Sequence, residues 1–173
     1  MADSLATQLL SQARRLARLD SRRPKQGNLR RAVSTAYYAL FHFLVDQSSR
    51  CVFGTANDRR PFRYVLARAF EHSAMLKACK SFANGTLPAK IQSALPATFG
   101  VALEVRAIAR TFVAAQETRH EADYDLSVSF TRADVLALIE NIAQAISTFN
   151  AVLADVETKF FLACLLAWGS LRN

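Results

Sequence analysis

Residues 101–125, VALEVRAIARTFVAAQETRHEADYD, decide the fold, because they have the pattern of a long amphipathic helix with a polar end. At about 100° per residue its apolar side chains fall on one stripe: Val101, Val105, Ile108, Phe112 and Ala115. Arg119 comes about five turns after the first of these and falls on the same stripe. An arginine on a buried face needs a partner, and three carboxylates follow at once: Glu121, Asp123 and Asp125, with Tyr124 between the last two. We therefore predict a helix whose last turns hold the candidate site.

The composition predicts an all-α protein with a single domain. The 173 residues, 51% hydrophobic and 21% charged, suit one globular domain with a sizeable core. Glycine and proline are scarce, and strand-like alternation is absent. We therefore treat residues 1–173 as one helical domain. Three cysteines without metal-binding spacing favour a reducing, cytoplasmic environment.

We expect neither a signal peptide nor a membrane association. The N-terminus is amphipathic and rich in arginine, unlike a signal peptide. The longest apolar run, Phe160–Trp168, has nine residues and is too short to cross a bilayer as a helix. We interpret this run as a core or interface segment.

Positive charge is concentrated in the first half of the chain. The net charge is +8, and residues 1–80 contain 15 Lys/Arg against 5 Asp/Glu, whereas residues 81–173 contain 7 against 9. A basic half favours an acidic partner, such as a nucleic acid, a nucleotide or an acidic protein surface. The alternative is a solvated surface that only aids solubility.

The same periodicity predicts helices on both sides of the central stretch. They are a first helix over residues 3–19 with Asp3 or Ser4 as its N-cap, a central helix over Leu29–Ser49 that Asn28 can cap, and a third helix over Pro61–Phe82. Phe62 and Val65 are among the residues expected to point inward from the third helix.

Beyond these come a helical turn over residues 89–95 and a helix that opens at Thr131 with Asp134 as its capping partner. This last pattern continues towards Trp168, with a bend or break expected near Asp155–Lys159. The total is about five helices.

One face of the central helix is polar. Arg31, Thr35, Tyr38 and His42 follow at i, i+4, i+7 and i+11. This row either lines a binding site or a self-association surface, or consists of half-buried, hydrogen-bonded side chains.

Several kinds of chemistry lack the residues they need. Glu117-x-x-His120 has the spacing of di-iron bundles, but no second such motif exists, so we predict no metal and no cofactor. The chain also lacks a recognisable nucleophile setting and a glycine-rich phosphate loop. General acid–base cleavage of RNA needs less, because an arginine steadies the phosphate and a histidine moves the proton. Arg119 is the candidate arginine; the histidine, from His42, His72 or His120, stays open.

Three segments in order, AYYALFH at 36–42, RHEADYD at 119–125 and SFTRADVLALIENI at 129–142, resemble the HEPN superfamily of prokaryotic helical proteins. RAFEHSAMLKAC at 68–79 is similar to one branch of it. The resemblance spans roughly residues 28–150 and leaves 151–173 as a C-terminal helical extension. It implies an up-and-down helical bundle that forms a homodimer. Many HEPN proteins are RNA-cutting toxins or defence effectors, often encoded beside a small nucleotidyltransferase that acts as the antitoxin.

The catalytic signature of that superfamily is an arginine, four to six residues, and then a histidine. Counting from Arg119, the histidine positions hold Tyr124, Asp125 and Leu126, so this chain has the arginine without the histidine. The resemblance thus implies a HEPN-type module of a toxin–antitoxin or defence system, binding RNA, a nucleotide or a nucleotidyltransferase-like partner with weak or no catalysis. The alternatives are a metal-independent RNase that uses Arg119 and a structural protein-interaction bundle.

The candidate polar cluster combines these motifs. Arg119 is its one candidate catalytic residue, and the cluster either binds a ligand or forms a structural ion pair. Its members are Arg119, Asp123, Tyr124, Tyr38, His42 and Arg31.

Overall fold

The computed structural model describes residues 4–172. Within that range the chain forms α-helices, one short 3-10 helix and no strand, which confirms the all-α prediction. The helices are α1 (Leu5–Arg18), α2 (Gln26–Phe53), the 3-10 helix (Asn57–Arg59), α3 (Arg60–Ala67), α4 (His72–Asn84), α5 (Ala89–Ala94), α6 (Leu103–Tyr124), α7 (Arg132–Asn150) and α8 (Val156–Arg172). The expected number of about five is therefore too low, since these residues form eight α-helices.

The predicted helix starts are partly confirmed. Ser4 caps α1, since its Oγ accepts a hydrogen bond from the backbone N–H of Thr7 at 3.2 Å. The other candidate, Asp3, lies outside the described residues. Thr131 and Asp134 bond to each other in the predicted capping arrangement, with Asp134 N–H donating to Thr131 Oγ1 at 3.2 Å. Asn28 is not a cap, because α2 begins before it and its side chain donates to Asp20 instead.

The prediction of one helix over Pro61–Phe82 was wrong. The chain breaks after Ala67 and resumes at His72, so two helices take its place. The face assigned to the first half was also wrong, because Phe62 and Val65 are 58% and 69% exposed.

The cause of this rotation is Arg63, which is 8% exposed. Its Nη1 donates to the carbonyl oxygens of Gly54 and Ala56, at 2.8 and 3.0 Å, just after α2 ends. Unsatisfied carbonyls near a helix end need donors. This contact therefore turns the arginine inward and leaves the apolar side chains of α3 outside.

The described chain divides into two compact units. Unit 1 comprises the residues up to Phe43 together with Thr111–Ser147, and unit 2 comprises Leu44–Arg110 and the residues from Thr148 onward. Three helices, α2, α6 and α7, each have residues in both units. The assignment of the whole chain to a single domain stays a prediction.

The core of unit 1 contains the apolar faces of α2 and α6. Phe112 and Ala115, from the predicted stripe of α6, are fully buried, and on α2 the most deeply buried apolar side chains include Val33 and Leu40. Tyr37 is fully buried, and its ring centroid lies 5.6 Å from that of Phe112. The inward residues of α7 follow the same periodicity: Val135, Ile139 and Ile142.

The core of unit 2 forms where α4 packs on α8. The Phe82 ring contacts Phe161 edge to face at 4.9 Å and lies 6.1 Å from Trp168. The apolar run Phe160–Trp168 is thus a core segment, as one of its two interpretations held. Burial raises the pKa of the Cys164 thiol to about 12, which keeps it an unreactive part of this core. No helix in residues 4–172 combines the length and apolarity needed to cross a membrane.

A bend or break before α8 was predicted near Asp155–Lys159, and the observed turn begins four residues earlier. Residues 151–155 form the turn, and Lys159 already belongs to α8.

Candidate functional site

Arg119 and Asp123 form an ion pair near the end of α6. Arg119 Nε lies 2.6 Å from Asp123 Oδ2, and the two side chains are 23% and 27% exposed. The Nε–H bond does not point at that oxygen, so the contact is an ion pair rather than an aligned hydrogen bond. The other carboxylate oxygen, Oδ1, accepts a 2.6 Å hydrogen bond from the buried Ser34 hydroxyl of α2. Asp123 is therefore held from two helices.

Three tyrosine rings surround the Arg119 guanidinium. Its Cζ lies 5.9, 5.8 and 5.9 Å from the ring centroids of Tyr37, Tyr38 and Tyr124, at the outer limit for cation–π attraction. Its Nη2 also reaches the Tyr38 hydroxyl at 3.5 Å. Tyr37 is fully buried, Tyr38 is half-buried and Tyr124 is 66% exposed. The guanidinium therefore lies at the edge of the core, with one ring beneath it and another in solvent.

Arg30 of α2 holds the end of α6. Its Nη1 donates to the Ala122 carbonyl at 2.9 Å and more weakly to Glu121 at 3.3 Å, and its Nη2 donates to Asp125 at 2.9 Å and to Val128. These carbonyls lie at or just after the end of the helix, where oxygen atoms lack a partner within the helix. The last turn of α6 contains no basic residue. Arg30 therefore supplies the positive charge that favours a helix C-terminus, and it positions the turn that carries Asp123.

Two histidines lie one tyrosine away from Arg119. The His42 ring stacks on Tyr38 at 6.2 Å, and the His120 ring lies 4.9 Å from Tyr124. Partial burial lowers the pKa of His42, because it disfavours the charged imidazolium. His42 is therefore neutral at neutral pH and can accept a proton.

The structure thus brings together Arg119, Asp123, Tyr124 and Tyr38 from the predicted cluster. His42 joins through Tyr38. The sixth member, Arg31, is exposed, and its side chain is not among the groups that contact Arg119.

Sequence reasoning missed Arg30 and Ser34. The polar row of α2 that meets α6 is Arg30, Ser34 and Tyr38, at i, i+4 and i+8, rather than the row that begins at Arg31. Either arginine fits a helical spacing that leads to Tyr38. The one available signal was a serine directly after the apolar Val33 of the predicted central helix, since a hydroxyl that becomes buried needs a partner.

A separate half-open cavity of about 290 Å³ lies in unit 1. It is mostly apolar, and no basic side chain lines it. The Arg119 cluster, which contains a cation, is therefore a better candidate for binding phosphate than this cavity. Its lining residues are Val33, Thr118, Val128, Ser129, Phe130, Asp134, Val135 and Leu138.

Within residues 4–172, no group of three or more His, Cys, Asp or Glu side chains is arranged to hold a metal ion. Comparison with models of protein families, with curated proteins and with solved structures finds no match to this chain. The function is therefore argued from the cluster itself.

Proposed function

We propose that this protein is a HEPN-type helical module that binds RNA, with Arg119 as the phosphate anchor and with weak or no catalysis. The observation that carries the proposal is the position of the Arg119 side chain, which is 23% exposed and has its guanidinium 5.9 Å from the centroid of the exposed Tyr124 ring. An arginine held in a defined orientation recognises phosphate. An exposed ring beside it can stack on a base.

The distribution of charge supports the same function. An RNA-binding protein needs cations beyond one anchor, and residues 1–80 supply an excess of them. Exposed arginines in unit 1 occur on α1 and before α2: Arg15, Arg18, Arg22 and Arg23.

The surroundings of the histidines support weak or absent catalysis. Cleavage by acid–base chemistry requires a histidine within hydrogen-bond reach of the reacting proton. Both nearby histidines contact a tyrosine, His42 through Tyr38 and His120 through Tyr124. Tyr124 occupies one of the histidine positions of the HEPN signature, so the chain has a tyrosine where the signature has its catalytic imidazole.

A metal-independent RNase is the second candidate, and one observation favours it. His42 has a lowered pKa and stacks on the tyrosine whose hydroxyl meets Arg119. A neutral imidazole can accept a proton as a general base, and a nearby arginine can stabilise the negative charge of the phosphate. In this case RNA would draw His42 and Arg119 onto one phosphate.

The resemblance to HEPN proteins adds an expected biological setting. In a toxin–antitoxin or defence system, the chain would act as a homodimer beside a nucleotidyltransferase-like partner. The Arg119 cluster would then be available to RNA in the free protein and blocked in the complex.

RNA binding by purified protein tests the proposal. Fluorescence anisotropy with a labelled 20-nucleotide single-stranded RNA, in EDTA, is measured for the wild type and for Arg119→Ala. We expect the substitution to weaken binding at least tenfold, about 1.4 kcal/mol, and binding to weaken with added salt. Unchanged binding by a folded Arg119→Ala protein would contradict the role of Arg119.

The control must separate a lost ligand contact from a lost ion pair. Arg119→Ala leaves the carboxylate of Asp123 without its cation, which is costly for a partly buried group. The double variant Arg119→Met, Asp123→Asn removes both charges, and the amide oxygen that replaces the carboxylate can still accept from Ser34. If this double variant is as stable as the wild type in urea and still fails to bind, then Arg119 acts on RNA. If it binds normally, the pair is structural.

The same samples distinguish binding from cleavage. Labelled RNA is incubated with excess protein and separated on a denaturing gel. Fragments with the wild type but with neither Arg119→Ala nor His42→Gln would establish the RNase alternative. Intact RNA with all three proteins supports a binding module.

A further inference from the structure

A second surface with the character of a nucleic-acid interface lies on α3 in unit 2. Its three large hydrophobic side chains point into solvent: Phe62 is 58% exposed, Tyr64 57% and Val65 69%. Three exposed arginines belong to the same segment: Arg60 in the first turn of α3, Arg59 directly before it and Arg68 directly after it. We call these six residues the α3 surface.

Hydrogen bonds to carbonyls at and just after the end of α2 fix the position of the α3 surface. Arg63 is buried and donates to the Gly54 and Ala56 carbonyls. Arg59 Nη1 donates to the Phe53 carbonyl at 3.1 Å, and the Phe53 and Phe62 rings lie 5.7 Å apart. The exposed rings are thus presented by an element that is tied to the end of α2, so their exposure is a property of the fold. A solvent-exposed apolar group of this kind usually marks an interaction site.

The charge of this surface selects an acidic partner. Residues 57–68 contain four arginines against a single acid, Asp58, and no lysine. Arg63 is buried by its internal hydrogen bonds, whereas Arg59, which bonds to the Phe53 carbonyl through one nitrogen, Arg60 and Arg68 are exposed. The planar guanidinium of arginine can bind a phosphate through two hydrogen bonds and can stack on rings, whereas the ammonium group of lysine cannot.

The rings select nucleic acid among acidic partners. The Arg60 guanidinium lies over the Tyr64 ring at 5.2 Å, and its Nε donates to the Tyr64 hydroxyl. This pair places a planar cation beside an exposed aromatic face. Proteins bind single strands through aromatic and guanidinium planes that stack on bases, together with cations that follow the backbone. Duplex RNA keeps its bases stacked inside and cannot use such rings.

We propose that the α3 surface binds single-stranded RNA, with Tyr64 and Phe62 stacking on bases and Arg60 and Arg68 contacting phosphates. This inference rests on the proposed RNA-binding function and deepens it, by naming an unpaired strand as the ligand and a second surface as its contact. The bases supply affinity here through stacking, whereas Arg119 supplies a single phosphate contact in unit 1.

The test is binding of one labelled 20-nucleotide RNA, single-stranded or annealed to its complement, by wild type and variants over a series of salt concentrations. The charge variant is Arg60→Gln, Arg68→Gln, and its matched control is Lys90→Gln, Lys159→Gln, which removes the same charge from exposed positions outside this surface and outside the basic half of the chain. The ring variant is Phe62→Ser, Tyr64→Ser. Because all of these side chains are exposed, thermal unfolding should stay unchanged and confirm that each variant folds.

We expect the charge variant to weaken single-strand binding at least tenfold and to reduce the slope of log Kd against log salt by about 1.4, since each phosphate contact on a single strand contributes about 0.7. The ring variant should weaken binding about tenfold or more. The matched control should change affinity less than twofold. The wild type should prefer the single strand to the duplex.

Each contrary result is distinguishable. Equal losses in the charge variant and its matched control, unchanged binding by the ring variant, or equal affinity for duplex would overturn the α3 surface while leaving Arg119 untouched. Competition by poly-glutamate at equal charge concentration would also overturn it, because the surface would then bind acidic chains in general. Normal binding by Arg119→Ala together with loss in the α3 variants would refute the Arg119 anchor and support this inference. Absence of RNA binding by the wild type would refute both.

Discussion

Arg30 offers the sharpest test of how the end of α6 is held in place. Its guanidinium donates to four carbonyls at or beyond that helix end, and it lies 5.6 Å from the Phe130 ring centroid. Replacing Arg30 with alanine removes all of these contacts at once. The neighbouring Arg31 is exposed and is the matched control, because Arg31→Ala removes the same charge and the same number of atoms.

The loss of unfolding free energy expected for Arg30→Ala depends on which of its contacts water can replace. The bonds to Glu121 and Asp125 are exposed, so water substitutes for Arg30 there at little cost. The bonds to Ala122 and Val128 are partly buried, and a hydrogen bond to a charged group contributes about 1.5 kcal/mol or more. Together with the ring contact, Arg30→Ala should therefore lower the free energy of unfolding by about 3 kcal/mol.

Urea unfolding followed by circular dichroism measures this loss. Arg31→Ala should change the unfolding free energy by less than about 0.5 kcal/mol. Arg30→Lys should fall between the two, since lysine keeps the charge but cannot bridge two sets of carbonyls with a planar fork. If Arg30→Ala and Arg31→Ala have equal effects, the C-terminal contacts of α6 do not contribute to stability and the reasoning is refuted.

Three further outcomes are expected from the fold. Gly85→Ala should lower the free energy of unfolding by about 1–2 kcal/mol, because φ is +71° at this helix end and an added Cβ collides with the Arg106 guanidinium. Gly169→Ala, in open space within α8, should raise the free energy of unfolding by up to about 1 kcal/mol. Urea unfolding measures both changes, and changes of the same sign would contradict this reasoning. Phe82→Ala should cost about 3–5 kcal/mol, and a loss below about 1 kcal/mol by the same measurement would show that α4 does not depend on this ring. Lowering the pH from 7 to 5 should destabilise the wild type more than His42→Gln: burial lowers the pKa of His42 in the folded state, so the unfolded chain binds more protons as the pH falls through about 6.5. Parallel stability profiles of the two proteins across this range would disprove that role.

Much of the candidate site could be predicted because its members lie close together in the sequence. Arg119 and Asp123 are one helical turn apart, so their ion pair follows from spacing alone. Tyr124 extends the same turn. The contact with Tyr38 needed one further assumption, that the central helix packs against α6, and the contact of Tyr37 with Phe112 confirms it.

The partners that sequence reasoning missed are distant along the chain. Arg30 binds carbonyls more than 90 residues away, and backbone carbonyls carry no sequence signal that could attract an arginine. Arg30 and Arg31 are adjacent and chemically identical, so only the rotation of α2 against α6 distinguishes them. The prediction therefore chose the neighbouring row.

The sequence by itself determined the all-α class, the buried stripe of α6, the capping pair at Thr131, and the local ion pair of Arg119. Each of these depends on interactions within a few turns, where periodicity is informative. Only the tertiary structure decided that Arg30 holds the end of α6 and that Arg63 turns inward while Phe62 stays outside. In both cases an arginine gives unpaired carbonyls a donor. On α2 this agrees with the burial of the apolar face, whereas on α3 it leaves apolar side chains in solvent, so there the gain from satisfying the oxygens exceeds the preference of the apolar face for the core.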